Sequence, residues 1–312
     1  MANDLLTIAD FAAHQLDVDE SDLQDFKNGA PFTNMLPIDD TSTGGTTHKY
    51  MKYTQEPVVG FRAENDGREY DHSVDTAVTV TCKILDFSWR VDKANADAHY
   101  KGREYLIALE GARHLAAALY KIEKQIFYGT TAAGDSSGFS GFIQSTFLDA
   151  LADDMVINSG GSTADVQSSV YAVRVGRDDV KLVTPKAMGI SLGDTTVIEA
   201  DGATGHYPAY YTPASMYIGL QMGGKYSIGR LANCEDAAND DLTDDKLAQL
   251  RNLFPAGRKP QYFVANGTRL EALRASRTAT NATGAPAPVV TESFGMIAVE
   301  TDALINTEAV EV

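Results

Sequence analysis

Hydrophobic and polar positions repeat along this chain with two different periods, and the switches between them mark its elements. Over residues 73–91 (SVDTAVTVTCKILDFSWRV), Val74, Thr76, Val78, Val80, Cys82 and Ile84 fall on one face at a period of two, which predicts a long strand. The run before it, 48–62 (HKYMKYTQEPVVGFR), reads as its partner. Asn65, Asp66 and Gly67 supply the turn, since Gly accepts positive φ without steric cost. Strands this long exceed the usual ~5–6 residues, and a two-stranded ribbon needs something to lie on. From Lys93 to Tyr128 the period lengthens. Ala108, Ala112, Leu115, Leu119, Ile122 and Ile126 recur at steps of four and three, predicting a helix with one apolar stripe. Lys121, Glu123 and Lys124 then occupy its wet face, and Gly129 stands where a C-terminal cap belongs. As one piece this spine would be roughly 50 Å long, with Gly102 and Gly111 inviting a bend.

On either side of these two elements the pattern is more broken. Leu5, Leu6, Ile8, Phe11 and Leu16 keep a loose helical period, and Pro31, Pro37 and the polar stretch at 41–45 then enforce an extended arm. Nothing local is expected to hold this arm down. After residue 130 the chain turns β-rich, with Gly/Ser loops at 130–142 and 158–165, a hairpin expected around Asp178 and Asp179, and strand candidates through 210–231. Residues 236–312 change character again. Thr243 can cap a helix whose first turn holds Asp244 and Asp245 and whose apolar face is Leu247, Leu250 and Phe254. A strand at 261–267, a helix at 268–276, a flexible loop at 278–288 and a last strand at 294–304 complete an α+β chain.

Charge and composition narrow what such a chain can do. A net charge of −17 opposes direct DNA readout, because affinity for DNA rests on cations that displace phosphate counterions. The densest basic stretch, Arg269 to Arg277, alternates with apolar residues at helical spacing. No apolar run approaches the ~20 residues of a membrane span, and the acidic N-terminus is unlike a secretory signal. Cys82 and Cys234 are therefore expected as free thiols.

Catalytic constellations are thin, so no catalytic, cofactor-binding or metal-binding residue is assigned and no enzyme activity is expected. His14, His48, His72, His99, His114 and His206 are scattered, outside any zinc-site spacing. In GFSGF (138–142) Gly141 directly follows Ser140, which breaks the nucleophile-elbow pattern. GGST (160–163) and MGGKYSIG (222–229) lack the spacing of a phosphate-binding loop and read as turns between strands. Asp17, Asp19, Ser21 and Asp22 imitate the start of a calcium loop, yet Asp22 stands where Gly is needed and Asn28 where the bidentate Glu belongs. The sequons at Asn266 and Asn281 carry no meaning without secretion.

The order of elements resembles the Hong Kong 97-type fold of tailed-phage major capsid proteins. The residues that carry the likeness are DFSWRVDKANAD (86–97), IFYGTTAAGDSSGFSGF (126–142), the run 158–190, YYTPASMYIGLQMGGKYSIGRLANC (210–234) and the closing strand from Phe294. Val175-Gly176 and Gly223-Gly224 depart from the family, which has Trp-Gly and Arg-Asp at those places. The resemblance implies an N-terminal arm (1–45), an extended hairpin loop (46–84), a peripheral domain (85–235) with a spine helix at about 93–128, and an axial domain (236–312). It implies hexamers and pentamers tiling an icosahedral shell around double-stranded DNA, in the virion after assembly in the host cytoplasm. It also implies a portal protein as partner and leaves room for a decoration protein. The chain opens on a short helix and arm rather than a long helical extension, so a separate scaffolding protein is expected. One relative forms a Lys–Asn crosslink, but nothing in the sequence sets an Asn and a Glu beside Lys49 or Lys52. The rival reading is an encapsulin-type compartment, which shares the fold and would hold an enzyme instead of DNA.

Overall fold

The computed structural model describes residues 29–42, 45–69, 71–186, 189–203, 205–236, 240–281 and 285–311. The candidate calcium ligands at 17–22 with Asn28, His14 and the first apolar helix lie outside them.

A six-stranded sheet anchors the molecule. Its order is Glu292–Ser293, Met296–Glu300, Tyr262–Ala265, Ser168–Val173, Ile228–Cys234 and Val156–Asn158. The two longest of these strands are buried at every residue, so each lacks the alternation that a half-wet strand would show. Helix α3, taken here as Asp244–Asn252 by chain order, packs Leu250 and the following Phe254 close over Gly229, where a Cβ would meet them at 3.0–3.2 Å. Thr243 caps α3 as expected, accepting from Lys246 N at 3.4 Å. Helix α4 (Gly267–Thr280) starts on Asn266, whose side chain accepts from Thr268 N.

The spine is two helices rather than one. Helix α1 (Lys93–Asp97) stops after five residues, and α2 (Arg103–Tyr128) begins after Gly102, whose φ of +87° an L side chain resists. At 26 residues α2 is about 39 Å long, shorter than the continuous helix expected. Gly129, at φ +55°, closes it as predicted and donates to Gln125 O at 2.8 Å. Four of the six stripe positions face the core, Leu115 and Leu119 packing against it half-buried. Ile122 and Ile126 are buried, but Ala108 and Ala112 are exposed, and Glu123 from the expected wet face is fully buried. The reason is that chain wraps both sides of the last two turns of α2, where Phe32, Phe127, Phe142 and Tyr171 form one aromatic cluster with ring centroids 5.5–6.3 Å apart.

Phe32 also overturns the expectation of an unheld arm for residues 29–42. Ile38–Asp40 pairs in parallel with Lys181–Thr184, and Phe32 sinks into the aromatic cluster. The expected hairpin around Asp179 is likewise absent. Ser168–Val173 belongs to the six-stranded sheet, while Lys181–Thr184 joins a five-stranded sheet with Ile38–Asp40, Ala214–Gln221, Lys83–Asp86 and Ser191–Leu192. The tight loop between them is a crossing from one sheet to the other. It is held by Asp179, which accepts from Arg174, Ser227 and Arg258. A third sheet joins Thr196–Gly202, Gly205–Thr212 and Trp89–Asp92.

Candidate assembly surfaces

The ribbon forms where the period-two pattern put it, but its paired part is shorter. Thr47–Gln55 pairs antiparallel with Val74–Thr81, from Thr47 opposite Thr81 to Gln55 opposite Val74. Residues 56–69 and 71–73 are outside any strand, and Asn65, not Gly67, is at positive φ. The long return strand breaks at Cys82, whose N–H donates to Thr46 O at 2.7 Å, and the inward face changes parity there. Cys82 is buried and Ile84 is 62% exposed, while Phe87, Trp89 and Val91 turn inward. The alternation could not reveal this, because a strand that changes sheets may shift by one residue without changing composition.

The root of the ribbon is fixed to the body. His48 Nδ1 accepts from Ser42 N at 3.1 Å, so its Nε2 is the nitrogen that donates to Gln221 Oε1 at 2.7 Å. Val80 and Cys82 lie over Gly219, where a Cβ would approach them at 3.2–3.3 Å. Lys52 sits 4.9 Å above the Phe147 ring, and burial lowers its pKa. Around and beyond that point the apolar side chains lose cover. Met51 is 65% exposed, Tyr53 53%, Val59 82%, and Phe61 wholly exposed. So many exposed large apolar side chains on one ribbon mark an interaction surface.

Elsewhere the body is locked by buried charge. Glu308 accepts from Tyr128 Oη at 2.5 Å and Ser169 Oγ at 2.6 Å, and Arg230 donates to Ser169, Leu148 O and Glu311. Burial raises the Glu308 pKa against the pull of Arg230. Glu123 accepts from Thr33 N at 2.8 Å and from Thr301 Oγ1, tying arm, spine and closing strand together. Partners lie 90 and 178 residues away, so no local pattern could have disclosed this carboxylate.

Motifs that imitate chemistry are absorbed by the fold. In GGST (160–163), Ser162 N, Thr163 N and Thr163 Oγ1 all donate to Glu235, which fills the place an anion would take. These bonds hold the Glu235 pKa down at about 2. In GFSGF, Gly138 and Gly141 lie against Gln125 and Gly129, while Ser140 faces outward. Gly223 of MGGKYSIG takes φ +65° where a Cβ would strike Ser227 and Asp179. His99 stacks on Tyr105, His114 lies beside Trp89, His206 pairs with Asp201 and His72 is exposed. Arg269, Arg274 and Arg277 are paired with Asp241, Glu271 and Asp244. Asn281 donates to Ala285 O. Cys82 and Cys234 are both free and buried. Among the described residues no group of His, Cys, Asp and Glu is arranged to hold a metal, and no helix is long and apolar enough to cross a membrane.

Solved phage structures share this arrangement. The structure of bacteriophage Epsilon15 aligns over 99% of this chain and 98% of its own, with TM-score 0.64 and 17% identity. The capsid of bacteriophage JBD30 aligns over 96% and 99%, with TM-score 0.51 and 13% identity. The same capsid decorated with minor capsid protein trimers gives TM-score 0.54 and 11% identity over 96% and 99%. These likenesses define the class as the Hong Kong 97-type capsid fold. No curated protein matches the chain. The family described as Major capsid protein GP7 matches residues 38–312, and the chain belongs to it: it is a tailed-phage major capsid protein, a component of the virion. That family is a structural one, and the match goes to it rather than to an encapsulin-type compartment.

Proposed function

We propose that this subunit forms the hexamers and pentamers of an icosahedral head that encloses double-stranded DNA. In this reading the hairpin at 46–84 is the extended loop and lies over a neighbour's spine helix. Residues 1–45 are the arm, 85–235 the peripheral domain and 236–312 the axial domain around the symmetry centres. The subunit does no catalysis and holds no cofactor. A portal protein and a separate scaffolding protein are its expected companions, and the shell leaves room for an outer decoration protein. The minor capsid protein trimers on the JBD30 capsid support the last of these.

The observation that carries the reading is the exposed apolar tract on the ribbon, from Met51 through Phe61. Deleting the polar tip from Glu64 to Glu69 tests it, because these residues contribute little core. The deleted subunit is expected to keep its thermal midpoint and to lose closed shells under negative-stain microscopy. Normal shells from it would contradict the extended-loop assignment.

A further inference from the structure

The molecule carries an unfilled dimple of about 70 Å³ beside the root of its own ribbon. Ile122, Phe139 and Ile218 make its floor, Ile84 stands exposed at its rim, and Lys83 and Lys121 flank it. It is far below the ~300 Å³ of a small-molecule site, so it suits one side chain and not a metabolite. The ribbon tip presents the matching knob. Phe61 is the one aromatic side chain among the described residues that is wholly exposed, with Val58 and Val59 beside it.

In its own chain Phe61 stands wholly exposed and does not fill the dimple. The paired ribbon, from Thr47 opposite Thr81 to Gln55 opposite Val74, spans roughly 26 Å, and Lys83 lies at its root end. Phe61 is six residues beyond Gln55, so only a chain doubled straight back along the ribbon, a reach of ~21 Å, would bring it near the root. Charge also favours a second copy. Residues 56–73 carry five acids and two arginines, whereas the flanks of the dimple carry Lys83 and Lys121 against Asp135.

We infer that Phe61 of one subunit seats in the dimple formed by Ile84, Ile122, Phe139 and Ile218 of another, with tip carboxylates meeting Lys83 and Lys121. This rests on the shell reading above and gives that contact its anchor. A knob and hole at distant places on one chain make a head-to-tail contact, which closes into rings when the rotation allows. A single buried aromatic in a pocket is the usual form of an interface anchor.

Wild-type particles assembled from mixed light and heavy isotope-labelled subunits test this without mutation. A zero-length carbodiimide should join Glu64, Asp66 or Glu69 of one copy to Lys83 or Lys121 of another, giving mixed-isotope peptides. In parallel, Phe61→Ala should raise the concentration at which assembly begins by about tenfold, and Phe61→Leu by far less. Both variants should keep the wild-type thermal midpoint, since Phe61 is wholly exposed. Particles whose tip carboxylates couple elsewhere, or an F61A subunit that assembles like wild type, would overturn the anchor and leave the shell reading standing. A wild-type chain that forms no particle even when co-expressed with its scaffolding protein would overturn both.

Discussion

Glu123 shows how a residue can be read correctly in type and wrongly in place. Its spacing beside Lys121 and Lys124 puts it on a solvated face, yet it lies fully buried between Thr33 and Thr301. Burial raises its pKa above the usual 4.5, and the threonine hydrogen bonds pull against that. A carboxyl with a raised pKa binds its proton more tightly in the folded state. Its contribution is therefore complete below about 4.5 and is lost as pH rises through the raised value. Glu123→Gln keeps an acceptor for Thr33 N and does not titrate. Urea midpoints at pH 5, 6.5 and 8 should show wild type losing ground to the variant as pH rises. Parallel curves would mean that the carboxyl is charged throughout. By contrast, Thr243 and Gly129 were legible, because a cap acts within a few residues of itself.

At the scale of elements, the sequence revealed the ribbon, the spine and the order of the later helices, but not where strands change sheets. The parity shift after Cys82 and the crossing at Asp179 depend on contacts between distant strands, which a period cannot encode. The break at Gly102 was foreseen only as a bend. Gly111, the other spine glycine, stays helical and makes a sharper test. Helix propensity alone predicts that Gly111→Ala stabilises α2 by ~1 kcal/mol. Packing predicts the opposite, because an added Cβ would sit 2.7 Å from Trp89 Cζ2 in a buried ring. The expected result is destabilisation by ~1–3 kcal/mol. Trp89 is the only tryptophan in the sequence, so its emission should shift to the red in the same variant. A more stable protein with unchanged emission would show that the ring yields freely.

For the whole molecule, the account turns on apolar surface that one chain cannot bury. In the body, Arg230 is held by Glu311, Glu308 by Ser169, and Glu235 fills the glycine nest. The ordered series of elements was legible in the sequence because each element has its own period or cap. The assembly surface was legible only as a ribbon with nothing to lie on, since no element near it in sequence can cover it. Hydroxyl-radical footprinting of dissociated subunits and assembled particles tests this most directly. Met51, Tyr53 and Phe61 are exposed in the single chain and should label readily in the subunit. In the particle all three should be strongly protected, while His72 at the polar end of the loop changes less. Equal labelling of the three in both states would contradict the claim that the ribbon is buried between copies.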